Sequence, residues 1–166
     1  MIYGHREFPY AKAFADALEA DDRFRAWVLM QTKFTVFAKD AKLLKKEMLE
    51  KRTKGTRLYW NSHFHTQCGC DGCSGVHGRT GKPKKGRETD VFAIFESLTC
   101  QLPTKRFALH VEVKRPGDSF DDSNQSFAYG KRAICWATPG KTPATVLQHS
   151  DAATLLLFSE SVGIDF

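Results

Sequence analysis

The residues in this chain best placed to do chemistry together are Asp90 and the tripeptide Glu112-Val113-Lys114. Two runs of strand-forming residues, 91–95 and 107–113, flank a segment at 98–105 that holds Pro103 and polar turn formers, so the pair reads as an antiparallel hairpin. Residues that face one another across a hairpin have a constant numerical sum. A turn centred near Gln101 therefore sets Asp90 opposite Glu112 and Glu88 opposite Lys114. Side chains alternate along a strand, which places these four charged groups on one face and Phe107, Leu109, Val111 and Val113 on the other. Carboxylates directly across a strand pair repel unless a cation lies between them, and oxygen-only donors suit Mg²⁺ or Mn²⁺. Such an ion polarises a phosphoryl oxygen and acidifies bound water, while the Lys114 ammonium can orient that water or neutralise developing charge. The implied reaction is phosphodiester hydrolysis. A Glu-x-Lys tripeptide arises freely by chance, and it is the placement of Asp90 that gives it weight.

A second group of chemically capable residues runs from His63 to His77 and includes His65, Cys68, Cys70 and Cys73. Cys70-Asp-Gly-Cys73-Ser-Gly has the form of a zinc knuckle, in which two residues between thiolates and a following glycine turn backbone amides towards sulfur. Three cysteines crowded into 68–73 make awkward disulfides but good zinc ligands. Cys68 and one histidine complete the tetrahedron, with His77 the first choice, His65 next and His63 third. Three Cys and one His form a closed site, so the expected role of Zn²⁺ is structural. A solvent-exposed Cys-rich loop is the plainer alternative. Thiolate ligation implies a reducing, cytoplasmic setting, with Cys100 and Cys135 as ordinary semi-buried thiols.

The elements that must position these groups follow from periodicity. Phe8, Ala11, Ala15 and Leu18 recur at helical spacing behind Pro9 and predict a helix that ends near Asp21. Asp21 or Asp22 can cap a second helix, whose stripe of Phe24, Trp27, Val28, Phe34, Ala38, Ala41, Leu44 and Met48 continues to Glu50, with a break around 35–40. Residues 53–87 change character to Gly, His, Cys and basic residues, with a short strand expected at 58–60. After the hairpin, 125–136 predicts a helix that stops before Pro139, and 153–158 a buried strand.

The acidic hairpin resembles the PD-(D/E)XK nuclease superfamily, whose pattern is an acidic residue opening one strand and Asp/Glu-x-Lys closing the next. Thr89-Asp90 and Glu112-Val113-Lys114 carry that match. Gln125-Ser-Phe-Ala-Tyr129 looks like the Gln-x-x-x-Tyr helix motif of the RecB and lambda-exonuclease branch. Residues i and i+4 share a helix face, so Gln125 and Tyr129 can act together. The resemblance implies that Gln125 and Tyr129 support the site and approach DNA, and that the Val113 carbonyl adds a ligand to Mg²⁺. It also implies an acidic residue from a preceding helix, for which Glu47 and Glu50 are the candidates.

Charge points the same way without naming a partner. Lys and Arg number 25 against 19 Asp and Glu, a formal charge of +6 that favours an anionic partner. The excess gathers between Lys42 and Arg57, and again at Arg79, Lys82, Lys84, Lys85 and Arg87. Each cluster alone reads as a solvated face. Beside a nuclease site, Lys82, Lys84, Lys85 and Arg87 become candidate phosphate contacts.

The expected architecture is thus a single α/β (α+β) domain over 1–166: a helical part at 1–52, a zinc-binding basic insertion at 53–87, and a small mixed sheet with helices at 88–166. The expected activity is a Mg²⁺- or Mn²⁺-dependent deoxyribonuclease. The alternative is a non-catalytic, zinc-containing nucleic-acid-binding module. No run approaches the roughly 18 apolar residues of a membrane span, and the first ten residues lack the apolar block of a signal peptide. DNA against RNA, ends against internal bonds, and monomer against dimer stay open at this level.

Overall fold

The computed structural model describes residues 7–52, 54–61, 63–65, 87–98, 106–115, 118 and 125–158. Among them the order is α1 (Phe8–Ala20), α2 (Asp22–Met30), a 3₁₀ turn (Thr35–Phe37), β1 (Ala41–Leu43), α3 (Lys45–Lys51), β2 (His63–His65), β3 (Arg87–Thr89), β4 (Val91–Ser97), β5 (Arg106–Lys114), α4 (Gln125–Ala137) and β6 (Asp151–Phe158). This is a mixed α/β fold. Its main sheet has the order β1-β4-β5-β6, antiparallel except for the parallel β5–β6 pair, and β2 and β3 form a separate two-stranded ladder. None of the described helices is long and apolar enough to cross a membrane.

The first helix forms as its periodicity predicts. Pro9 sits in its opening turn and Ala11, Phe14, Ala15 and Leu18 form the buried stripe. Asp21 then ends α1 and starts α2, its carboxylate accepting from the amides of Arg23 and Phe24 at 2.8 and 3.1 Å.

The expected continuation of the second helix towards Glu50 is corrected by the structure. α2 stops at Met30, and the hydroxyls of Thr32 and Thr35 turn back onto the carbonyls of Leu29 and Met30, offering the backbone an alternative to further helix. Ala41–Leu43 is strand, because it pairs with the free edge of β4 from Ser97 to Phe95. Leu44 extends that edge by donating to the Ile94 carbonyl at 2.9 Å before α3 begins. Periodicity could not anticipate this, since the partner edge is some fifty residues away in the chain.

Two strand expectations also change. Tyr59 and Trp60 are buried without belonging to a strand, and Trp60 makes a single ladder-like contact, its carbonyl accepting from Phe92 at 2.9 Å. β6 is longer than expected and only half-buried, because it is the last strand of the main sheet and covers β5 from one side.

β4 and β5 are buried on both faces. Phe34 and Phe37 pack on Phe107 at ring separations of 4.2 and 5.4 Å, and Phe95 stacks on the same ring at 5.6 Å. On the other face Trp136 of α4 meets Phe92 and His110. The face that carries Glu112 is therefore roofed by a helix.

Candidate active site

The β4–β5 register runs from Glu96↔Arg106 to Val91↔Val111. Every pair has the sum that places Asp90 across from Glu112, one step past the last rung. The next rung would pair Val113 with Thr89. Thr89 instead leaves to pair with His63 in the β2–β3 ladder, and Oδ2 of Asp90 accepts the Val113 amide at 2.7 Å. Glu88 leaves with Thr89 and lies opposite Phe64, not Lys114, although its charge still acts on Asp90. The amide and carbonyl of one strand residue point to the same side, so the Val113 carbonyl is directed towards the Asp90 edge as well.

Burial dominates the electrostatics here. Desolvation pushes the Asp90 carboxyl up to about 6, and Glu88 adds to the rise while the Val113 amide, Lys114 and Arg132 oppose it. Glu112 is raised further, first by burial and then by Asp90, against the pull of Arg132 and Lys114. Its side chain retains only 8% exposure and is ion-paired with Arg132, itself 2% exposed. Lys114 ends β5 half-exposed, and its charge reaches Asp90, Glu112 and Glu7.

α4 supplies the roof. Tyr129, Arg132 and Trp136 are buried on one stripe of it, with the Arg132 guanidinium 4.6 Å from the Tyr129 ring centroid. Gln125 begins the helix four residues before Tyr129 and so belongs to the same stripe. Arg132 is a site residue that sequence reasoning passed over. Its signal was a cation on the stripe shared by Gln125, Tyr129 and Trp136, a face that has to be covered.

Glu47 stands in the first turn of α3, which meets β4 at Ile94, where the Ile94 amide contacts the Met48 sulfur at 3.3 Å. That point is about 13 Å of extended strand from Asp90. The carboxyl of Glu7, at the N-terminus of α1, is raised by burial first and then by Asp90, with Lys114 opposing. Glu7 lies in the segment that sequence reading treated only as a lead-in to the first helix.

The donor set fits a hard divalent cation in kind. The hydrogen bonds engage one oxygen of each carboxylate, Oδ2 of Asp90 and Oε1 of Glu112, and leave the second oxygen of each, with the Val113 carbonyl, as oxygen donors. Among the described residues no three His, Cys, Asp or Glu side chains cluster closely enough to hold an ion by themselves, so backbone and water would have to complete the shell. Of the expected zinc ligands, Cys68, Cys70, Cys73 and His77 lie outside the described residues, as do Lys82, Lys84 and Lys85. The backbone sets His65 opposite Arg87, so the insertion leaves and re-enters the fold through paired strands that end beside Asp90. No family model, curated protein or solved structure matches this chain.

Proposed function

We propose that this chain is a metal-dependent nuclease of the PD-(D/E)XK kind that hydrolyses phosphodiester bonds of DNA. The observation that supports the reading is the β4–β5 register, which ends at Val91↔Val111 and, carried one step further, sets Asp90 across from Glu112 with Lys114 two residues on. Asp90, Glu112 and the Val113 carbonyl would hold Mg²⁺ or Mn²⁺. When bound, the ion supplies Lewis acidity to a phosphoryl oxygen and lowers the pKa of bound water. Lys114 donates to the attacking water or to a non-bridging phosphate oxygen, where negative charge grows in the transition state. The α4 roof restricts water around Glu112 and strengthens each of these interactions.

The insertion complements this site. Cys68, Cys70 and Cys73 with His77 or His65 would bind a structural Zn²⁺, and Lys82, Lys84, Lys85 and Arg87 would contact the phosphate backbone just ahead of Asp90 in the chain. This arrangement belongs to a reducing, cytoplasmic environment.

Purified protein incubated with plasmid and linear DNA tests the reading. Cleavage is expected with Mg²⁺ or Mn²⁺, abolished by EDTA and by Glu112→Ala or Lys114→Ala. The second reading, a zinc-containing nucleic-acid-binding module, draws on the Arg132–Glu112 pair, which neutralises the carboxylate without an ion. Retained DNA binding with no cleavage under any divalent ion selects that module.

A further inference from the structure

Arg132 is expensive to keep where it stands. Its guanidinium lies between Glu112 and the face of Tyr129, with Nη2 on Oε1 of Glu112 and, among the described residues, no hydrogen-bond partner for Nε or Nη1. A buried guanidinium offsets its desolvation by using most of its five donors. Among the described residues one nitrogen is used, with a cation–π contact to Tyr129 beside it. An apolar pair of similar volume at 112 and 132 would fill the space between sheet and helix without stranded N–H groups. Packing therefore gives little reason for this ion pair.

Its effect on Glu112 is specific. A glutamate side chain has three rotatable bonds, and in a partly open site it would sample several rotamers. Arg132 fixes Oε1, and the Tyr129 ring, one turn earlier on the same helix, fixes the guanidinium in turn. Among the described residues the other carboxylate oxygen accepts no hydrogen bond. Arginine suits this duty because its charge is permanent and its planar fork has a direction, whereas a lysine presents a point charge.

We propose that Arg132 is the positioning residue of the carboxylate pair, a fixed internal cation that holds Glu112 by one oxygen and leaves the other to a divalent ion. The inference rests on the reading of Asp90 and Glu112 as metal ligands. It makes a counter-intuitive claim about sign. By charge alone, a cation beside a metal ligand opposes the metal, and its removal should tighten binding. If Arg132 positions the ligand, its removal weakens binding.

The experiment is Mn²⁺ binding to the full chain, followed by electron paramagnetic resonance of the free ion, beside thermal melts of each variant. Arg132→Met is expected to melt cooperatively and to bind Mn²⁺ about tenfold or more weakly, the usual cost of losing a group that orients a metal ligand. Binding by folded Arg132→Met that equals or exceeds wild type overturns the proposal. Should Arg132→Met not fold, Arg132→Lys carries the test: it keeps the charge and loses the directed fork, so Mn²⁺ binding weaker than wild type supports the proposal, and binding that equals or exceeds wild type overturns it. The double variant Glu112→Met with Arg132→Met is expected to melt at or above the wild-type temperature. Its failure to fold overturns the proposal, because the pair would then be structural. Wild-type protein that binds no Mn²⁺ removes the ligand reading and this inference with it, whereas wild-type binding with an indifferent Arg132→Met removes the inference alone.

Discussion

Val113 donates its backbone N–H to Asp90 at 2.7 Å, in the position where the β4–β5 ladder would otherwise have used Thr89. Asp90, one step past the last rung, thus closes the ladder with its side chain and is one half of the carboxylate pair. The chain needs an acceptor there because Thr89 has been drawn off to pair with His63. Glycine or an apolar residue at this position would leave a buried amide without a partner.

This double duty separates two substitutions. Asp90→Asn keeps an oxygen for Val113 and loses the charge; Asp90→Ala loses both, and should be about 1–3 kcal/mol less stable than the asparagine variant. The pH dependence has a definite sign. Burial raises the folded-state value from 3.8 to about 6, so the folded chain holds this proton more tightly than the unfolded chain. The contribution to stability is complete below 3.8 and disappears as pH rises through about 6. Metal-free Asp90→Asn should therefore lack this loss and exceed wild type in urea stability above that range, while showing no Mg²⁺-dependent cleavage. Urea midpoints that fall in parallel for the two proteins would contradict it.

The hairpin register was legible because both strands are long, carry β-branched and aromatic residues, and are joined locally, so one turn position fixes every pair. α1 and α4 were legible for the analogous reason of strong 3.6-residue periodicity. β1 was not. Ala41, Lys42 and Leu43 alternate over three residues only, too short a run to stand out from the helical stripe that includes Ala41 and Leu44, and their conformation is decided by pairing with Ser97, Glu96 and Phe95. Arg132 escaped notice for a related reason: a charged side chain on a helix reads as solvent-facing until the fold shows a carboxylate beside it.

Phe107 is the hub of the face opposite the carboxylates. It is 1% exposed and touches the rings of Phe34, Phe37 and Phe95. Phe107→Ala should cost about 3–5 kcal/mol, the range for a large side chain in a cavity that cannot collapse. Phe127, on α4 but 73% exposed, serves as the control and should change stability by no more than about 0.5 kcal/mol when replaced by Ala. Chemical denaturation of both variants measures the contrast, and equal losses would show that the aromatic cluster does not anchor the core.

His149 gives the fold a second pH dependence, of opposite sign to that of Asp90. It is buried against Phe92, its Nδ1 lies 3.1 Å from the Leu147 carbonyl, and among the described residues Nε2 has no partner. Burial lowers its pKa below 6.5, with Leu147 and Asp151 opposing. The folded chain keeps the ring neutral while the unfolded chain takes a proton, so stability is complete above 6.5 and declines as pH falls below it. Melting temperature should decrease on acidification through this window, and His149→Phe should flatten that part of the profile. A wild-type slope unchanged in His149→Phe would assign the effect to other groups.

Zinc and the hydrolytic ion should act on different parts of the chain. Cys68, Cys70 and Cys73 must lose protons to bind, and their site would contribute folding free energy to a stretch that has few apolar residues of its own. That stretch joins the rest of the protein through the β2–β3 ladder, from His63↔Thr89 to His65↔Arg87, while Asp90 is also held independently by Val113. Zinc loss should therefore loosen the insertion before it disturbs the carboxylate pair. Protein purified under reducing conditions should carry about one zinc per chain; Cys70→Ser should lose it and melt earlier, and Asp90→Ala should retain it while losing Mg²⁺-dependent cleavage. Elemental analysis distinguishes the outcomes: zinc-free wild type would rule out the knuckle, and zinc lost from Asp90→Ala would show that the two sites are one.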